Sequence, residues 1–492
     1  MKHLFAGLTL AAALTGTAAA QSVTVGSAGS GADYATLTAA VVGLQATSTD
    51  GTPNTITFLD EGPFYEFNRI VINPQRTGTD DLTIEGAPGV RPIIIADLEA
   101  WAQPQKTQMI YVRKRGNLTI KDLIIIPPSE GVVDEASYLA KVGEIGMEIY
   151  TDEVGGTSIT LQNILVSSNN GSDRPVASLD GLTPPVITPE TISFRDEGIY
   201  LPTLSGPFLA PPHYVYFEDV VVSGLNGDQG SEGIRGFPDG PVGSKWIIGP
   251  GTTVSYNKLE ESTMVTSATN HGGFQPGGAI GFDIQVVGTQ EKPVKILNNN
   301  SNGITVTNQA GADQGLTRVE WAIIANNKGA GIKVIDQDTS LDLSNVTIAN
   351  NEGGIFWGPN IQHSLNYEFS NVIATGTGDT ASPSAIIDMV PYAAGSTGTS
   401  ALTIANSAIV LNGPYSANTT MYGGDAIIVG DNVTLTTTSN LSADPQFASL
   451  DATSPNIAVV SNAAYGTAGP GGVPLVGGAT YNTSSVSDWQ IF

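Results

Sequence analysis

The chain has 492 residues, 40% of them hydrophobic and only 13% charged, with 58 glycines, no cysteine, four histidines and a formal net charge of −26. These numbers exclude a disulfide-stapled scaffold, thiol catalysis and a cysteine- or histidine-rich metal centre, and so acidic a surface repels nucleic acid and anionic membranes. Abundant Gly, Thr, Ser and Asn alongside that apolar content describe a folded, turn-rich β protein stabilised by a large core.

Residues 1–20 read as a secretory signal peptide: Lys2 precedes an apolar run from Leu4 to Leu14, and Ala18-Ala19-Ala20 offers the cleavage site. Loss of Lys2 takes the mature chain to −27. No later stretch approaches the roughly 18 to 20 apolar residues that span a bilayer. The expected product has no membrane span and is secreted or held at the cell surface.

Residues 21–54 form the expected N-terminal cap. Tyr34, Leu37, Val41 and Leu44 fall on one face of a helix, with Asp33 near its N-cap. Such a helix covers the open end of a solenoid, which otherwise invites edge pairing.

Residues 55–450 carry an irregular repeat in which short alternating strands meet at Asn or Asp. Six segments share it: Leu118-Thr-Ile-Lys-Asp122, Ile159-Thr-Leu-Gln-Asn163, Val215-Tyr-Phe-Glu-Asp219, Leu341-Asp-Leu-Ser-Asn345, Tyr367-Glu-Phe-Ser-Asn371 and Leu402-Thr-Ile-Ala-Asn406. Each reads strand, sharp bend, strand, because Asn and Asp tolerate left-handed backbone angles. In Arg318-Val-Glu-Trp321 a tryptophan stands at that place, which predicts an interrupted ladder. A second element is a polar turn ending in Gly and an apolar residue, at Gly303-Ile304, Gly331-Ile332 and Gly354-Ile355, where glycine is expected to supply a positive φ. These glycines are 28 and 23 residues apart, about one coil of a solenoid with repeats of roughly 20 to 29 residues. Together the repeats predict an all-β, right-handed parallel β-helix with long loops on its middle coils, between 127 and 144, 167 and 197, 202 and 213, and 250 and 277. Residues 451–492 lose strand periodicity and read as an extended cap or tail.

The cap segment Gly29-Ser-Gly-Ala-Asp-Tyr-Ala-Thr-Leu-Thr-Ala-Ala-Val41 resembles the N-terminal cap of secreted β-helix enzymes of the pectin-lyase-like superfamily. The segments Ile56-Thr-Phe-Leu-Asp-Glu-Gly-Pro-Phe-Tyr65-Glu66 and Leu82-Thr-Ile-Glu-Gly86 are similar to the first coils of pectinesterase-like proteins, and Leu441-Ser-Ala-Asp444-Pro445-Gln-Phe447 resembles a segment near the end of bacterial right-handed β-helix repeat proteins. The resemblance covers most of residues 22–450 and implies the fold more than a reaction. The run Gln337-Asp338-Thr339-Ser340-Leu341 departs by one inserted residue from the pectinesterase Gln-Asp-Thr-Leu signature. The polygalacturonase Asn-Thr-Asp and Gly-His-Gly signatures are missing, so no catalytic residue is carried over from either family.

Aligning the Gly-apolar strands places Glu148, Tyr200, Arg235, Asp283, Thr305, Lys333 and Phe356 on one outward lane, since side chains alternate along a strand. Tyr150, Phe237 and Gln285, two positions further on, extend it. Rings stack on sugar faces, while bases and carboxylates bind acids, hold a metal or move protons. The expected partner is a polysaccharide or cell-surface glycan. For a lyase, Arg235 or Lys333 is the base and Asp283 or Glu148 a metal or substrate ligand; for a hydrolase, Glu148 and Asp283 are the carboxylate pair. Tyr150, Tyr200, Phe237, Gln285 and Phe356 are the expected substrate contacts. No cofactor is required by this chemistry, and Ca2+ is the metal that Asp336 and Asp338, or Asn226, Asp228 and Glu232, suit as hard oxygen ligands. The rival reading is a non-catalytic adhesive or filament-forming protein that self-associates, which needs no converging site.

Overall fold

The computed structural model describes residues 20–47, 53–72, 81–96, 107–114, 116–127, 144–151, 156–168, 173–185, 197–201, 211–225, 232–236, 241–257, 272–278, 282–300, 302–308, 316–334, 341–351, 353–357, 366–376, 387–389, 400–411, 427–429, 433–438, 447–449 and 456–459. The expected signal peptide apart from Ala20, the end of the tail beyond 459, and Asp336, Asp338 and Phe237 lie outside them.

Parallel pairing between successive coils defines three faces. Face 1 runs from Ile70–Ile72 through Thr107–Lys114, Glu144–Thr151, Glu197–Leu201, Glu232–Gly236, Gly272–Gly278, Asn302–Asn308, Ala330–Val334, Gly353–Trp357 and Ile387–Met389 to Ile427–Val429. Face 2 holds the strand segments before each bend and face 3 those after it, as in Ser158–Ser167, whose first half pairs with Tyr214–Glu218 and second half with Val221–Ser223. This is the right-handed parallel β-helix that the repeats predict. Alternation builds its interior: Ile159 and Leu161, Val215 and Phe217, and Trp246 and Ile248 point inward and are buried, while the residues between them face out.

The six Asn and Asp bends all adopt left-handed backbone, with φ between 50° and 59°. Neighbouring rungs are linked where Asn163 donates to Asp122 at 2.6 Å and Asn371 donates to Asn345 at 3.1 Å. Trp321 interrupts the ladder of Asn and Asp side chains but not the bend: its φ is 51°, because the coils on either side fix the backbone path and the tryptophan follows it. That geometry costs a non-glycine residue about 1 to 2 kcal/mol, which the pairing of both flanking half-strands with Asp342–Asn351 offsets.

The polar turns leading into face 1 differ from expectation in one respect. The left-handed residues are Tyr256, Asn298, Asn326 and Asn350, and the glycines at 303 and 331 have ordinary φ. Each left-handed residue precedes a buried asparagine, giving a column of Asn257, Asn299, Asn327 and Asn351, each at most 2% exposed. The Oδ1 of Asn299 accepts from the Asn257 backbone N–H and Nδ2, at 3.2 and 3.1 Å. Asn327 does the same for Asn299, at 3.0 and 2.9 Å, and Asn351 for Asn327, at 3.0 and 2.9 Å. Every Nδ2 also donates to a backbone carbonyl, of Val222, Val254, Ile296 and Ile324 respectively. The amides of this column are thus buried with hydrogen-bond partners, whereas beside them Asn298 Oδ1 and Nδ2 and Asn326 Nδ2 are buried without one.

The cap helix spans Leu37–Thr47, and Leu37, Ala40, Val41 and Leu44 join Val25, Ile56, Phe58 and Ile70 in one core. Its N-cap is Thr36, whose Oγ1 accepts from the Ala39 N–H at 3.2 Å; Asp33 instead accepts from Thr24 N and Oγ1, and so does not cap. Glu66, 1% exposed, accepts from Leu37 N, Thr38 N and Thr38 Oγ1, and completes the helix start from the coil beneath. Burial raises the Glu66 carboxyl above the usual range against the pull of those three donors. The expected 250–277 loop holds the strand Thr253–Ser255 and runs into Gly272–Gly278, while in the expected 167–197 loop residues 173–185 fold over face 3, where Ser255 Oγ donates to Gly181 O at 2.5 Å and Tyr256 OH to Leu182 O at 3.2 Å. In the tail, Asn456–Val459 pairs antiparallel with Phe447–Ser449, so strand structure continues past 450.

Two substitutions test this core. Asn299→Leu leaves buried donors of Asn257 without their acceptor and should cost about 3 kcal/mol in equilibrium denaturation. Gly236→Ala should cost about 1 to 3 kcal/mol, because its Cβ would meet the Trp246 ring, 2.7 Å from Cη2.

Candidate functional site

The site begins with glycines that the stacking itself demands. A Cβ on Gly146 would lie 2.5 Å from Gly198 O, one on Gly198 2.6 Å from Gly233 O, and one on Gly303 2.7 Å from Gly331 O. These positions tolerate no side chain, and they fix the strand register two residues further on. Tyr111 pairs with Glu148, Glu148 with Tyr200, Tyr200 with Arg235, and Arg235 with Gln275. Phe274 beside Ile304 carries the column to Thr305, which pairs with Lys333, and Lys333 pairs with Phe356.

Glu148, Tyr200, Arg235 and Lys333 therefore share the expected lane, with Phe356 at its register position. Asp283 and Gln285 do not. They lie on Phe282–Val287 of face 2, where Asp283 pairs in register with Lys245. Each coil admits one face 1 strand, and in this coil it is Gly273-Phe274-Gln275, which has the same Gly-apolar-polar pattern as Gly281-Phe282-Asp283. The expected Glu148–Asp283 carboxylate pair does not form. Three coils separate their strands, about 14 Å at the usual strand spacing, beyond the roughly 6.5 to 9.5 Å of an inverting pair even before the change of face.

The lane is most concentrated at its N-terminal half. The Arg69 guanidinium lies 4.7 Å from the Tyr111 ring centroid and donates to Gln108 Oε1 at 2.9 Å. The Tyr111 and Tyr150 rings are 5.3 Å apart at 56°, and the Arg235 guanidinium lies 5.8 Å from the Tyr200 ring centroid. Glu148 is outward-facing yet only 4% exposed, enclosed by these neighbours. Burial, then the hydrogen bond to Glu148 and its charge, lift the Tyr150 phenol well above the usual tyrosine range. Burial lowers the Lys333 amine below the usual lysine range. Tyr111 escaped the Gly-apolar alignment because its coil has Met109 where the others have glycine, and Arg69, one coil earlier, itself stands at that register position; the alternation of Met109-Ile-Tyr111-Val-Arg113 is the signal that marks Tyr111.

Among the described residues no group of three or more His, Asp or Glu stands together to hold a metal ion, and no helix is long and apolar enough to cross a membrane. The proposed calcium ligands Asp336, Asp338, Asn226 and Asp228 lie outside the described residues.

Fold and lane define a parallel β-helix protein with an aromatic and charged outer strip. No family model and no curated protein matches the sequence. Among solved structures, the chain is similar to a point mutant of the periplasmic alginate epimerase AlgG, at 10% identity and a TM-score of 0.34, over 79% of this chain and 77% of that one. It is also similar to the A-module of the Azotobacter vinelandii mannuronan C-5 epimerase AlgE6, at 13% identity and a TM-score of 0.31, over 83% of this chain and 95% of that one. The functional reading rests on the lane itself.

Removing the Glu148 charge tests the coupling at its centre. In Glu148→Gln the Tyr150 phenol should titrate at lower pH than in the wild type, read by ultraviolet difference titration against Tyr150→Phe.

Proposed function

We propose that the protein binds an extended polysaccharide along face 1, and that the Glu148–Tyr150 pair is the proton-transfer centre at which the chain is cleaved. The supporting observation is the in-register column Tyr111, Glu148, Tyr200, Arg235, in which rings and charges succeed one another coil by coil. A strand spacing of about 4.8 Å is close to the length one sugar adds to an extended chain, so successive sugars meet successive rungs. Tyr111 and Tyr200 offer ring faces, and Arg235, held as a cation against Tyr200, binds hydroxyl or carboxylate oxygens.

Elimination and hydrolysis share one requirement, a proton for the departing sugar oxygen. Tyr150 keeps its proton at neutral pH, and the hydrogen bond to Glu148 holds the phenol in place until its O–H turns from the carboxylate to the departing sugar oxygen and gives up the proton, leaving the phenolate. Lys333, three coils beyond Arg235 and so about 14 Å away, serves as a distant binding contact in this reading. Export through the leader at residues 1–20 brings the protein to such a substrate.

The test is a polysaccharide panel read both by reducing ends and by absorbance of unsaturated products. Arg235→Ala should weaken binding about tenfold, while Tyr150→Phe should keep binding and lose at least roughly 100-fold in turnover. Wild-type binding and turnover in both variants would overturn the assignment.

A further inference from the structure

Face 2 carries another outward surface, which the face 1 lane does not use. On Tyr214–Glu218 the inward Val215 and Phe217 are buried, so Tyr214 and Tyr216 face out. Tyr214 is 45% exposed. Tyr216 reaches across to the next coil, where Gly249 leaves it room: a Cβ on Gly249 would stand 2.9 Å from Tyr216 Cε2. In register, Tyr216 continues a column of hydroxyls, Thr83, Thr119 and Thr160, and is followed by Ile247 and Gln285. Tyr214 stands between Ser158 and Lys245.

Two of the three carboxylates at the centre of this surface face lysines, and the third is held by an amide. Lys245 lies 3.7 Å from Asp283, which also accepts from Gln285 Nε2 at 2.6 Å. Lys292 pairs with Asp219 at 2.6 Å, and Glu218 accepts from Gln162 Nε2 at 3.2 Å. On a chain with a net charge of −26 this is a nearly neutral patch, rich in hydroxyls and amides around two phenol rings. Its chemistry suits an uncharged, hydroxyl-rich polymer. Sugar C–H faces stack on the rings and sugar hydroxyls exchange hydrogen bonds with Thr, Gln and the tyrosine OH groups.

We propose that face 2 binds a neutral glycan chain lying along the solenoid axis, centred on Tyr214 and Tyr216 and independent of the face 1 lane. Asp283 and Gln285 then act on this surface, Asp283 by holding Lys245 and Gln285 in place. Two glycan surfaces on one rigid body increase retention on a polysaccharide network through effective concentration, without any new contact.

Affinity electrophoresis of the full mature chain through gels containing hydroxyethylcellulose, glucomannan or laminarin tests the proposal. At least one neutral polymer should retard the wild type. Tyr214→Ala and Tyr216→Ala should reduce that affinity about tenfold with unchanged thermal melting, Tyr214→Phe, which keeps the ring and loses the hydroxyl, should reduce it less, and Tyr200→Ala and Arg235→Ala should retain it. Lack of retardation on all three polymers, wild-type retardation of Tyr214→Ala, or loss confined to the face 1 variants would overturn it. Failure of the face 1 reading leaves these outcomes unaffected, since the two sets of variants share no residue.

Discussion

Coil-to-coil hydrogen bonding is the constraint on which the rest of this structure depends. Each strand passes its backbone donors and acceptors to the strands above and below, so a turn buried between coils must be satisfied by the same stacking. The column Asn257, Asn299, Asn327 and Asn351 does this, since each amide serves backbone groups of the preceding coil and, up to Asn327, the side chain of the next. Each of these turns leads into a face 1 strand, from Gly272–Gly278 to Gly353–Trp357, so buried amides hold the register in the C-terminal half of the lane, while close-packed glycines such as Gly146 and Gly198 hold it in the coils before.

A fixed register turns the solenoid into a ruler. Residues at equivalent places in successive coils lie one strand spacing apart, and side chains far apart in sequence become neighbours. Tyr111, Glu148, Tyr200 and Arg235 meet in this way across four coils. The same ruler keeps apart residues that share a local pattern but not a face, which is the fate of Glu148 and Asp283. Outward residues also differ in environment: Glu148 is enclosed among rings, whereas Tyr214 on face 2 stands open. An enclosed carboxylate perturbs its tyrosine neighbour, and an open ring is available as a platform.

Much of the fold was legible because it repeats. The Asn and Asp bends are marked by residue types that accept left-handed backbone, and all six adopt it. The Gly-apolar alignment found the lane wherever glycine is forced by a carbonyl of the next coil, as at Gly146, Gly198 and Gly303. It failed at Gly281, where the same local pattern belongs to face 2, and it passed over Tyr111, where Met109 replaces the glycine. Trp321 shows the complementary effect, a residue with no preference for the bend held in it by its neighbours.

The sequence by itself determined the solenoid class, the bends, the inward apolar alternation and most of the lane, because each is written in residues within a few positions of one another. Tertiary structure alone decided which glycine marks face 1, which carboxylate accompanies Tyr150, and that Asp283 answers to Lys245. Those outcomes depend on how many residues each coil spends in its turns, a length that varies from coil to coil and becomes fixed only when neighbouring coils pair.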